Sequence, residues 1–329
     1  MRWAFSEDNT PAVITAEKHV RSSHGSGDIR ELPETCVIFE LGIALRFLKE
    51  NFDTVTLYDR LPCFLDNPEC IAVKGHPDVC FTKGGYGCPA AVDTLETVRA
   101  LGVKRILVVG MCGGFGKEIQ VGDVVVPDSI LCEEGTSHHY FETVEFVRPE
   151  EAFFNQVREY FQGKFHTVVN STVTTDSFYR QTFAKEAYWR EKGCVGVDME
   201  ASALLSVSRY YSMPAAAVLL CSDKHPLSDT ESGWNWGTED FNRIREAYVR
   251  AAIMFALGYI DAGRAKSKCR KELDAIMMDY QLLKEQRNLT NHAGRNDNTE
   301  YWSYQDICTM LIQAAERLIA VTNDEGRKY

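Results

Sequence analysis

Three short segments carry side chains that could act on a substrate. Glu200 sits in Gly196-Val197-Asp198-Met199-Glu200-Ala201, inside an otherwise apolar stretch where a strand pattern gives way to a helical one. A buried carboxylate is unfavourable unless it accepts strong hydrogen bonds, and a sugar diol supplies two. A core ion pair or a helix N-terminus would satisfy the same residue. Ser222-Asp223 follows the apolar run 215–221. Open α/β sheets place ligand chemistry beyond their strand C-termini, and a buried acid there would have a raised pKa and could donate a proton near neutral pH. An Asp capping the next turn is the plainer alternative. The third segment, Gly110-Met111-Cys112-Gly113-Gly114, follows the run 105–109. Its glycines let backbone approach a ligand closely and leave N–H groups free for an anion or a hydroxyl. A tight structural turn would use the same residues.

These segments need elements to hold them. Short β-branched runs at 35–39, 70–73, 79–82, 105–109, 121–126, 168–174 and 215–221 are bounded by Gly and Pro, as suits a sheet covered on both faces. Helical patterns fall between them at 43–51, 89–101, 151–161, 198–211 and 241–260. Alternating strands and helices predict an α/β three-layer sandwich around a mixed, largely parallel sheet. Near 264 the chain turns basic and polar, and two more helical patterns follow at 272–286 and 304–320. The predicted division is therefore 1–263 and a helical extension, 264–329.

Composition bounds the function. The 329 residues are 45% hydrophobic and 25% charged, with a net charge of −11. That balance fits a globular chain with a substantial core. It argues against bulk binding to nucleic acid or anionic membrane. No apolar run reaches the ~18 residues of a membrane span, so a cytoplasmic protein is expected. The 11 cysteines form no Cys-x-x-Cys pair. They are expected to be reduced thiols, with neither disulfides nor metal.

Taken in order, the three segments resemble the nucleoside phosphorylase/nucleosidase family, which includes purine nucleoside and uridine phosphorylases, methylthioadenosine nucleosidase and AMP nucleosidase. Gly122-Asp123-Val124-Val125, Lys83–Ala90, Glu134–Tyr140 and Thr174–Tyr179 add to the resemblance, which covers about 10–262. It implies that Met199 and Glu200 hold a ribose, that Phe178 stacks on a base with Ser222 nearby, and that Asp223 protonates or hydrogen-bonds purine N7. It implies that Met111, Cys112 and Gly113 face the nucleophile, that His19 reaches a neighbouring subunit's ribose site, and that the chain forms a homo-oligomer, a dimer or a hexamer. The implied activity is phosphorolysis of a purine nucleoside with phosphate as co-substrate and no cofactor.

The sequence departs from the family where phosphate should bind. The first strand leads into Phe39-Glu40-Leu41-Gly42 rather than a Gly-Asp-Pro loop with its arginine, and Val108 stands where a second arginine is usual. Arg46, Arg60 and Lys83 remain candidates. Without such cations a water nucleophile, with Glu40 as base, is the alternative, acting on a purine nucleoside or an AMP-like nucleotide. In the tail, Arg287-Asn288 and His292 have the form of the HEPN ribonuclease motif. This offers a third reading, a nucleotide-sensing domain gating an RNase. RNA is a partner only if that motif is active, and an oligomerisation tail explains the residues equally well.

Overall fold

The computed structural model describes residues 4, 10–22, 29–231, 235–236 and 239–258. Arg287, Asn288, His292 and both tail helices lie outside the described residues. The first compact unit is Met1–Ile260. No helix among the described residues is long and apolar enough to cross a membrane.

The elements begin with α1 (Ala16–Val20), β1 (Thr35–Phe39), α2 (Ala44–Asn51), β2 (Thr54–Tyr58), β3 (Cys70–Val73), β4 (Val79–Lys83) and α3 (Cys88–Ala100). Then come β5 (Arg105–Gly114), β6 (Val124–Val125), β7 (Ile130–Glu133), α4 (Thr136–Tyr140), β8 (Phe146–Val147), α5 (Glu151–Gln162), β9 (Thr167–Val168) and β10 (Ser171–Thr175). The unit closes with α6 (Phe183–Glu191), β11 (Cys194–Asp198), α7 (Ala201–Tyr210), β12 (Ala215–Lys224), β13 (Asn235–Trp236) and α8 (Glu239–Gly258). The predicted sandwich is present. One sheet runs β2-β3-β4-β1-β5-β11-β10-β7-β8, and β12 branches from β5 to pair β6 and β13.

Two expectations at the chemistry-bearing segments are corrected. The glycines after Val109 do not form a turn: β5 continues to Gly114, because Gly113 and Gly114 pair antiparallel with Val197 and Gly196 of β11. Their backbone groups go into a ladder instead of facing a ligand as free donors. Asp198 is not helical either. It ends β11, and its Oδ2 accepts the Glu200 and Ala201 amides at 2.9 and 2.6 Å, so α7 starts three residues later than the pattern implied. The run 168–174 is two strands, β9 and β10, broken at Asn170. Strands β2, β7, β8, β11 and β13 and helices α1, α4 and α6 were not foreseen. They are short, between two and nine residues, too short for a clear periodicity.

The sheet is buried on both faces, as β1 illustrates. Val37 and Phe39 point into a cluster with Phe81, Phe153, Phe161, Tyr248 and Phe255, while Cys36 and Ile38 join Leu95, Val98, Leu204 and Val207 on the other side. Strict alternation with apolar residues at every position is what a two-sided sheet requires. Phe161 touches the rings of Tyr160, Phe165, Tyr248 and Phe255. Phe161→Ala is therefore expected to destabilise the unit by about 3–5 kcal/mol, read from the urea midpoint at unchanged slope.

Candidate active site

The site forms where strands change partners along β5. In its first half β5 pairs parallel with β1, up to Phe39 opposite Val109. Four residues on, at Gly113, it pairs antiparallel with β11. On the other edge it stays paired with β12 from Ile106 to Gly114. Between the end of β1 and the end of β11 the ladder is open, and both strands deliver a carboxylate there: Glu40 just past β1, Asp198 at the tip of β11. A cavity of about 920 Å³ opens at this seam.

One side of the cavity is a cluster of buried carboxylates. Thr174 Oγ1 donates to Asp198 Oδ1 at 2.6 Å, and two amides take Oδ2. Burial raises the Asp198 pKa against these donors. Glu200 Oε1 accepts the Gly87 amide at 2.7 Å. Burial, then the charge of Asp198, pushes Glu200 up to about 8. Glu40 is the least compensated. It is buried, and neither of its carboxylate oxygens has a hydrogen-bond partner of normal geometry. Burial, then Glu200 and Asp198, raises its pKa well above the usual range, and the nearby Gly85 amide and Lys83 only oppose this. Gly84 packs so closely that a methyl there would overlap the Glu40 carboxyl at 1.7 Å. Burial and the charges of its neighbours thus push each of these acids toward its protonated form.

A second part of the lining is a chain of polar groups. Ser222 Oγ donates to Asp223 Oδ1 at 2.6 Å. Asp223 Oδ2 lies 3.0 Å from His225 Nε2, and His225 Nδ1 lies 2.7 Å from Glu186 Oε1 on α6. Burial works against a charge on His225, but hydrogen bonds to Asp223 and Glu186 outweigh it and push the pKa up to about 9. Gly113 makes this possible, because a methyl there would stand 2.5 Å from His225 Nε2.

The structure brings together nearly all the residues singled out from sequence. Glu40, Met111, Cys112, Gly113, Phe178, Met199, Glu200, Ser222 and Asp223 all line this one cavity. Phe178 lies in a short 3-10 turn with Tyr179, their rings 4.1 Å apart. The Cys112 thiol packs among Ile119, Val125, Val195, Leu219 and Cys221. A hydrogen bond with Cys221, then burial, keeps its pKa well above the ordinary value, so it is not a thiolate nucleophile. His19 lies on α1 against Phe64, away from its own chain's cavity lining. Arg46 pairs with Glu50 and Arg60 bonds Asn67, both on the surface. Lys83 lies over the ring of Tyr86, a lining residue, 4.8 Å from its centre.

Among the lining residues not singled out from sequence are Asp198, Glu186, His225 and Tyr86. His225 had a signal. It lies two residues beyond Asp223, and alternation along an extended chain puts i and i+2 on one side. Among the described residues no cluster of His, Cys, Asp and Glu is arranged to hold a metal.

A family model described as the phosphorylase superfamily matches residues 37–261, which include β1, β5, β11 and β12 and so every carboxylate of the cavity. The chain belongs to the phosphorylase superfamily. Within that superfamily it is 28% identical over 240 residues to a DeoD-type purine nucleoside phosphorylase of Bacillus cytotoxicus, covering 71% of this chain and 98% of the relative. It is 29% identical over 143 residues to a guanosine phosphorylase of Halorubrum lacusprofundi, covering 43% and 59%. In fold it is similar to a purine nucleoside phosphorylase of Toxoplasma gondii in complex with immucillin-H (TM-score 0.59, 18% identity, 75% of this chain and 98% of that one). A uridine phosphorylase of Vibrio fischeri is also similar (TM-score 0.55, 20% identity, 68% and 89%).

The raised pKa of Glu200 makes a stability prediction. Between its ordinary value of 4.5 and about 8, the folded chain keeps a proton on Glu200 that an unfolded chain releases. Stability therefore falls as pH rises through that window. Glu200→Gln should make the ligand-free protein more stable than its parent at pH 9, by more than about 1 kcal/mol, and equal to it near pH 4. Equal denaturation midpoints at pH 9 would show that Glu200 ionises freely.

Proposed function

We propose that this chain cleaves the N-glycosidic bond of a purine nucleoside, with phosphate as acceptor, giving free base and ribose 1-phosphate. The observation that carries the proposal is that Glu200 and the Ser222–Asp223 pair line one and the same cavity. Breaking a ribosyl C–N bond builds positive charge on the sugar and negative charge on the base. A site for it needs an acidic sugar clamp and a hydrogen-bonding acid for the base, both fixed beforehand. Glu200 holds the ribose hydroxyls beside Met199, Asp223 meets purine N7, and Phe178 covers the base. Uracil offers no nitrogen equivalent to N7, so Asp223 favours purines. Kinship with chains named purine nucleoside and guanosine phosphorylase supports both the purine and the phosphate. Lys83, beside Tyr86, is the described cation nearest in role to a phosphate partner.

A second reading, hydrolysis, is favoured by one observation. The lining includes five carboxylates, Glu40, Glu186, Asp198, Glu200 and Asp223, and no lysine or arginine among the described residues. A dianion is disfavoured there, whereas water would find in Glu40 an acceptor without a competing partner.

Free base is expected from inosine, adenosine or guanosine, followed by absorbance or chromatography. A rate proportional to added phosphate assigns phosphorolysis. An unchanged rate in phosphate-free buffer assigns hydrolysis. No release from any purine nucleoside or from AMP removes the proposal. Asp223→Asn should lower kcat/KM by about 10²–10⁴-fold.

Self-association belongs to the same reading. Val13, Ile14, Phe64 and Leu65 are exposed apolar residues near α1 and its His19–Phe64 contact. Their burial in a homo-oligomer would let His19 serve a neighbouring subunit. Sedimentation should give a dimer or hexamer, and Ile14→Asp should shift it toward monomer.

A further inference from the structure

We propose that His225 is the proton source behind Asp223, passing a proton through the Asp223 carboxylate to the departing purine while Glu186 holds the imidazole in place. The inference rests on the purine-cleaving reading and deepens it. The geometry is that of a relay. The imidazole bridges the two acids, Asp223 Oδ2 to His225 Nε2 at 3.0 Å and His225 Nδ1 to Glu186 Oε1 at 2.7 Å. All three line the cavity, and Asp223 and Glu186 are buried. Each acid therefore sees the imidazole in a setting where a charge-assisted hydrogen bond is strong.

Every element around the ring fits a role for it. Gly113 on β5 leaves the space that His225 fills, and no side chain could stand there without displacing it. Ser222 Oγ donates to the other oxygen of Asp223, which leaves Oδ2 as the oxygen that handles the proton. From α6, Arg190 Nη1 stands 3.9 Å from Glu186 Oε2 and reaches the Phe115 carbonyl. Among the described residues, the charged groups facing His225 are Asp223 from β12 and Glu186, backed by Arg190, from α6. Two carboxylates against one imidazole keep it an imidazolium at neutral pH, with a pKa of about 9.

The step balances. As the bond between ribose C1′ and purine N9 breaks, its electron pair passes to the base. Asp223 Oδ2 takes the His225 Nε2 proton and passes that same proton to N7, which approaches this oxygen. The carboxylate ends as it began. The imidazole ends neutral, with Nδ1–H still on Glu186, and solvent recharges it after release. The arrangement runs a carboxylate–imidazole pair in the direction of an acid rather than a base.

The test separates proton supply from mere support of the site. In 7-methylguanosine the base already carries a positive charge and leaves without a proton. His225→Gln and Glu186→Gln should each lower kcat/KM for inosine or guanosine by about 10²-fold, yet lower it only severalfold for 7-methylguanosine. The parent rate on inosine should fall above pH 9, as the imidazolium is lost, and this limb should be missing in His225→Gln. Equal losses on the two kinds of substrate, or an intact inosine rate in both variants, would overturn the relay. If the parent protein releases base from no nucleoside, the failure belongs to the functional reading instead.

Discussion

The site depends on the burial of three acids in one place. Glu40, Asp198 and Glu200 come from two strand ends and a helix start, and β5 brings them together by exchanging one neighbour for another. Each acid alone would be unfavourable in such a setting, and together they are more so, because every charge opposes the others. The fold meets this with fixed donors: Thr174 and two amides for Asp198, the Gly87 amide for Glu200. It stops there. Neither oxygen of Glu40 is given a donor of normal geometry, so its burial is the least compensated of the three. Sites are often less stable than the fold around them for this reason.

A second part of the lining solves a different electrostatic problem. There the acids are given an imidazole. Asp223 and Glu186 share His225, in a chain anchored on a helix at one end and a strand at the other. The cavity thus combines acids held by neutral donors with acids that share a basic ring.

Much of this was legible in the residues. Glu200 and Asp223 stood out because each is an acid embedded in apolar sequence, which the chain does not place idly. The sandwich was legible from its alternating pattern. Other parts were hidden for physical reasons. The glycine segment reads as a turn, and only pairing with a strand eighty residues away makes it extended. Asp198 reads as helical because a strand end followed by a helix start leaves no gap in the hydrophobic pattern. Glu186 lies on a nine-residue helix with little amphipathic contrast, so nothing local marks it. Its role comes from a contact with a residue 39 positions away.

The pairing of β12 with β5 slips by one residue between Cys221 and Asp223. Cys221 faces Cys112, Asp223 faces Gly113, and Ser222 is the surplus residue between them. A strand is a two-phase object, and an odd residue inverts its phase relative to its neighbour. Here the inversion hands the chain from a cysteine-lined interior to an acid and a histidine without a turn. The chemistry of this wall is therefore written in counting as much as in residue type. Remove one residue upstream of Asp223, and every side chain could remain while the acid turns toward the wrong layer of the molecule.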